Sequence, residues 1–131
     1  MSGRSRSSKF ERGLETRRSV LGSDYVDKSL AQADDFTWAG QQLATEWCWD
    51  EIWNRPGLDH RTRRMIVIAQ CAAMGRWEEF KLHSRAALEK GDLSQDDLKE
   101  VLLQTAVYCG VPTANTAFRE ARDVIAELAR K

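Results

Sequence analysis

Much of what catalytic chains commonly use is scarce in these 131 residues. There are two histidines, His60 and His83, and three cysteines, Cys48, Cys71 and Cys109. Two histidines alone do not make a zinc site. The chain has no CxxC, no HExxH, no phosphate-binding loop and no dinucleotide fingerprint. A Gly-x-Ser-x-Gly elbow is also missing. These residues therefore imply no metal and no redox or organic cofactor. Net charge is missing too, since 20 basic residues balance 20 acidic ones. A nucleic-acid partner, which leaves a basic footprint, is not expected, and any anion site must be local. No apolar run is long enough to span a membrane. The opening MSGRSRSSKF lacks the apolar centre of a secretory signal. Residues 1–9 are expected to be a flexible tail, and residues 10–131 a single helical domain with chain enough for a core. Three widely spaced cysteines in apolar contexts fit buried free thiols in a reducing cytoplasm better than a disulfide framework.

Proline is limited to Pro56 and Pro112, both at helix junctions, and strand-like alternation is hard to find. The pattern is helical almost throughout, which predicts an all-α fold. A first helix over residues 11–21 ends at Gly22. Ser23 caps a second, which carries Tyr25, Val26 and Leu30. Asp34 or Asp35 caps a long third helix reaching Trp53. A fourth runs from Asp59 to Gly75, and a fifth reaches about Lys90. Ser94 starts the sixth, with Asp96 and Asp97 in its first turn, and Pro112 opens the last. The run from Met65 to Met74 has no polar face except Gln70, so the fourth helix is expected to be central and enclosed. Trp38, Trp47, Trp49 and Trp53 point in different directions at 3.6 residues per turn. One chain houses them poorly, which points to a subunit contact, or else to a bulky edge of the core.

The most informative stretch, residues 58–87, reads LDHRTRRMIVIAQCAAMGRWEEFKLHSRAA. His83 lies three residues after Phe80 and four before Ala87, on the buried stripe, with Glu79 one turn earlier. Such a pair can fix an imidazole and keep it protonated, as a general acid or an oxyanion partner requires. The same spacing also fits a structural histidine with a helix ion pair. Glu46, among the tryptophans, is a second candidate proton shuttle, or simply a solvated acid. Arg61, Arg63 and Arg64 crowd the first turns of a helix, where the dipole does not favour cations. They suit a carboxylate, or form a solvated basic face. Arg76 is a further cation within reach of His83. Trp49 and Tyr108 are candidate apolar walls of a substrate site, and Tyr108-Cys109-Gly110 also reads as a helix end.

Taken together, LDHRTRRMIVIAQCAAMGR with the following LH, and DLKEVLLQTAVYCGVP, resemble the carboxymuconolactone decarboxylase family. GLETRRSVLGSDYVDKSL and ATEWCWDEIWNRPGLD strengthen the resemblance, which covers residues 10–128. It implies an AhpD-like bundle of six to seven helices, in a homo-oligomer that is often trimeric or hexameric. The implied activity is cofactor-independent loss of carbon dioxide from 4-carboxymuconolactone, giving 3-oxoadipate enol-lactone in the protocatechuate branch of the beta-ketoadipate pathway. The family also includes AhpD-type thiol peroxidases, whose two cysteines match Arg76 and Glu79 here and whose upstream glutamate matches Arg64. Only their histidine, at His83, is kept. The dithiol relay needs an attacking and a resolving thiol, so the departure favours the decarboxylase. A thiol peroxidase and a non-catalytic oligomeric member are the rival expectations. In the favoured reading His83 is oxyanion partner or proton donor, oriented by Glu79, with Glu46 as second choice for the shuttle. Arg63 or Arg64, and Arg76, grip the remaining carboxylate, while Trp49 and Tyr108 wall the site.

Overall fold

Between Asp59 and the C-terminus nearly every helix boundary carries its own chemical signal. In the computed structural model, which describes residues 4–131, Asp59 accepts a hydrogen bond from the Thr62 amide at 2.8 Å and starts α4 (His60–Met74). Gly75 closes that helix at φ 71°, a left-handed conformation that glycine adopts at no steric cost. Helix α5 spans Trp77–Glu89. Ser94 and Asp97 exchange side-chain and backbone hydrogen bonds at 3.0 and 2.9 Å, a capping box that opens α6 (Gln95–Cys109). Pro112 sits in the first turn of α7 (Val111–Ala129).

These four helices form one compact unit, Asp59–Lys131. Its core joins Ile68, Cys71 and Ala72 of α4 to Phe80 and Ala87 of α5. Leu98 and Leu102 of α6 and Ala117 and Ala121 of α7 complete it, with Leu93 from the loop. Each large apolar side chain buried here contributes about 1.5–3 kcal/mol, and the alanines of α7 let the helices approach closely. Helix α4 touches α5, α6 and α7, yet it is not enclosed all round. Ile66 is 40% and Met74 68% exposed, and the buried face is the stripe Arg64, Ile68, Cys71, Ala72. The neighbours cover one side only, so an apolar sequence did not make this helix fully interior.

The other compact unit is Met1–Leu58. Ser7 caps α1 (Ser8–Leu21) by accepting from the Phe10 amide at 3.0 Å. Helix α2 covers Ser23–Ala31 and α3 the short stretch Trp38–Leu43. From Ala44 to Ile52 the chain is π-helical, and the Trp53 amide bonds the Cys48 carbonyl, five residues back, at 3.0 Å. One regular helix to Trp53 was the expectation. Wide turns of this kind are rare and need outside support, and α1 supplies it. A Cβ on Gly13 would lie 1.9 Å from the Thr45 carbonyl oxygen and 3.2 Å from the Asp50 nitrogen, so the two backbones nearly touch. Asp50 accepts from Arg12 at 3.2 and 3.3 Å and from Asn54 at 3.1 Å, which pins the far end.

The widened turns also house the tryptophans better than a regular helix predicts. Trp49 and Trp53 are buried and stack with ring centroids 4.8 Å apart. Trp38 is half-buried against Phe10, and Trp47 alone of the four is exposed. Part of the expected tail lies against this unit, since Arg4 covers the Trp38 ring and pairs with Asp35 at 3.3 Å. Residues 1–3 of that tail lie outside the described residues. The three thiols are free, but only Cys71 is buried. Cys48 is half-buried and Cys109 exposed, because α6 ends at the surface. No helix among the described residues is long and apolar enough to cross a membrane.

Candidate active site

Helix α5 brings Phe80, His83, Ser84 and Ala87 to one face, at spacings of three and four residues. His83 is therefore a core position occupied by an imidazole. On α4, which packs against α5, the same logic puts Arg64 on the buried stripe, only 1% exposed. Its Nε donates to Asp92 Oδ2 at 2.8 Å, and Asp92 comes from the loop between α5 and α6. Its Nη1 is buried with no hydrogen-bond partner among the described residues, as is the hydroxyl of Ser84. A guanidinium withdrawn from water is costly unless its donors are all used. One carboxylate answers Nε and leaves Nη1 to be answered by something else.

Burial first, and the charge of Arg64 second, push the His83 pKa down to about 4. At neutral pH the ring is uncharged, with one N–H donor and one acceptor nitrogen. The expectation of an imidazolium held protonated by Glu79 is thus reversed, because a buried cation beside a second cation is unfavourable. Glu79 pairs with Arg76 at 3.3 Å, and both side chains are well exposed. The two positions that hold thiols in the peroxidase pattern are here joined as an ion pair. Cys71 is no replacement nucleophile. Burial pushes its thiol pKa up, and the carboxylate of Glu79 adds to that, which suppresses the thiolate.

Of the other expected residues, Arg63 is half-buried on α4. Arg61, its neighbour in the basic cluster, pairs with Asp97 at 3.1 Å. Tyr108 is 81% exposed at the end of α6, beside exposed Val107 and Val111. In the single chain it is a surface residue. Glu46 and Trp49 belong to the unit Met1–Leu58, where Glu46 accepts from the Ser7 hydroxyl at 2.7 Å and Trp49 is buried. Asp92 and Ser84 were not anticipated. Ser84 carried a readable signal, being four residues after Phe80 on the buried stripe. Asp92 carried none, since a loop aspartate after Gly91 reads as a turn residue.

Comparison with known proteins points the same way as these side chains. The chain is 38% identical over 120 residues to a 4-carboxymuconolactone decarboxylase of Acinetobacter baylyi, covering 92% of this chain and 89% of that one. It is 37% identical over 122 residues to the nitrosuccinic acid decarboxylase npaB of Metarhizium robertsii, covering 93% and 85%. The model of the carboxymuconolactone decarboxylase family matches residues 39–123. This all-helical chain belongs to the carboxymuconolactone decarboxylase family.

Proposed function

We propose that this chain is a carboxy-lyase that converts 4-carboxymuconolactone to 3-oxoadipate enol-lactone, without a metal or organic cofactor. The observation that carries the reading is the buried Arg64, with Nε on Asp92 and Nη1 unanswered, next to an uncharged buried His83. The substrate supplies its own electron sink. As the bond to the departing carboxylate breaks, its electron pair moves through the ring double bond to the lactone carbonyl. A dienolate forms, and a proton adds at the carbon beside that carbonyl.

The free N–H of Arg64 grips a carboxylate of the dianionic substrate as a charge-assisted donor. Neutral His83 donates its N–H to the oxygen that gains charge. Donors of this kind are worth about 3–4 kcal/mol each where measured elsewhere. Bound anion offsets the charge of Arg64, so the His83 pKa rises as the substrate enters, and the ring takes up from solvent the proton that it then gives to the carbon beside the carbonyl. Arg63 supplies further positive charge near the substrate, while the charge of Arg76 is offset by its ion pair with Glu79. A thiol relay is disfavoured by the ion pair at Arg76 and Glu79. The exposed apolar residues Leu103, Val107, Tyr108 and Val111 fit a homo-oligomer contact, and three free thiols fit a cytoplasmic protein.

A second reading is favoured by the fungal relative, whose identity is nearly equal. In a nitro-substituted dicarboxylic acid, a nitro group takes up the electron pair instead of a lactone carbonyl. The same donor and the same cation would serve. Ultraviolet assays on freshly made 4-carboxymuconolactone and on nitrosuccinate decide between the two. With either substrate, His83→Ala should lower kcat by about a hundredfold or more, and Arg64→Met should raise KM. Full activity in His83→Ala, with an unchanged circular dichroism spectrum, would remove the imidazole from the mechanism.

A further inference from the structure

A second arginine is withdrawn from water, in the unit Met1–Leu58, and the mechanism above does not use it. Arg17 follows Phe10, Gly13 and Leu14 on the buried stripe of α1 and is 8% exposed. Its Nη1 donates to the side-chain oxygen of Gln41 at 2.8 Å. Its Nε is buried with no hydrogen-bond partner among the described residues. Among the described residues, the ionisable groups that act on it are the phenol of Tyr25 and the thiol of Cys48, with no carboxylate.

Its neighbours in sequence show how unusual this is. Arg4 pairs with Asp35, Arg6 with Glu11, Arg12 with Asp50 and Arg18 with Asp27. Lys9 pairs with Glu51. Each of these cations is far more exposed than Arg17 or has an acid, and most have both. Five acids are thus paired with cations that water would solvate anyway, and the buried one has a neutral amide. Selection for stability alone would reverse that arrangement, since an uncompensated buried charge destabilises a fold and an apolar side chain of similar volume does not.

We propose that Arg17 is a carboxylate seat, held open by Gln41 for an anion that does not come from its own unit. The carboxylate belongs to a small free acid, or to a side chain of a second copy of the chain. Neither source rests on the decarboxylase reading, and binding can be measured without turnover. The probe is succinate, a dicarboxylate with no reactive bond, compared with chloride at equal ionic strength. Thermal melting of wild type, Arg17→Met, Arg17→Lys and Arg64→Met is followed with and without it, and sedimentation gives the assembly size.

The expected result is a wild-type midpoint that rises with succinate. Arg17→Met should melt at or above the wild-type temperature without succinate and bind it at least about tenfold more weakly. An unchanged succinate response with a changed assembly size assigns the seat to a second copy's carboxylate. If Arg17→Met does not fold, Arg17→Lys decides, because it keeps the charge and loses the fork. The proposal is overturned if the Arg17 variants keep both the succinate response and the assembly size of wild type. It is also overturned if wild type shows no succinate response and Arg17→Met leaves assembly unchanged. Succinate binding lost in Arg17→Met, in a wild type that turns over neither acid, sinks the decarboxylase reading and leaves the seat standing.

Discussion

The two units of this chain follow their sequence with unequal fidelity. In Asp59–Lys131 the side chains at helix ends decide the boundaries, and the boundaries fall where Asp59, Gly75, Ser94 and Pro112 put them. In Met1–Leu58 a contact between elements decides the geometry. The approach of Gly13 to Thr45 accompanies nine residues of π-helix that no capping or periodicity rule contains. Local chemistry is visible in a string of residues, whereas a close crossing of two backbones is a property of the pair. Helical reading fails at a glycine on a buried stripe, opposite a segment crowded with large rings.

A methyl group at the crossing puts this contrast to its most severe test. Gly13→Ala places a carbon 1.9 Å from a carbonyl oxygen, and the atom that must move is backbone. The unit must open or the π-helical turns must rewind. A loss of at least about 4 kcal/mol in urea unfolding is expected, at the upper end of overpacking effects. The near-ultraviolet signal of the stacked Trp49 and Trp53 should change as well. A variant as stable as wild type would show that the crossing does not hold the wide turns, and the contrast between the units would lose its cause.

Legibility at the candidate site divides differently. The position of His83 was readable, because Phe80, His83 and Ala87 mark one helical face. Its charge state was not, because that depends on Arg64, nineteen residues earlier in the sequence and on another helix. The burial of Arg64 was hidden for a related reason. In RTRRM three arginines look alike, and only the spacing to Ile68 and Cys71 separates the buried one from the exposed Arg61. The same spacing argument applied to α1 would have singled out Arg17, which falls seven residues after Phe10. The all-α fold was legible throughout, since the π-helical segment keeps the direction of a helix and changes only its turn.

The next test keeps to the regular unit and measures how well its one mismatch is buried. An unfolded histidine takes up a proton below about pH 6.5, while folded His83 does so only near pH 4. Between those values the unfolded chain binds more protons than the folded one, so stability falls as the pH falls. The contribution is complete above pH 6.5 and is lost progressively down to pH 4. Wild type should lose on the order of 3 kcal/mol more than His83→Gln over that window. Carboxylates that lose their partners in acid affect both proteins alike. Parallel stability curves for the two would mean that the imidazole reaches water, and a proton source sealed beside Arg64 would no longer describe the site.

The smallest effect isolates the crossing from glycine as such. Gly40 lies inside α3, in the same unit as Gly13, and a Cβ there would meet nothing within 4 Å. Its backbone is not in the positive-φ region. Alanine restricts the unfolded chain and favours the helix, so Gly40→Ala should stabilise by about 0.5–1 kcal/mol. Opposite signs for the same substitution at two helical glycines of one unit would place the whole difference in what the added carbon meets. Equal destabilisation at both would point to a unit that tolerates no stiffening, and the irregular turns would then reflect flexibility needed along α3 and the segment after it. That outcome would move the cause from the contact at Thr45 to the chain between Trp38 and Ile52, where Trp47 is the one exposed indole.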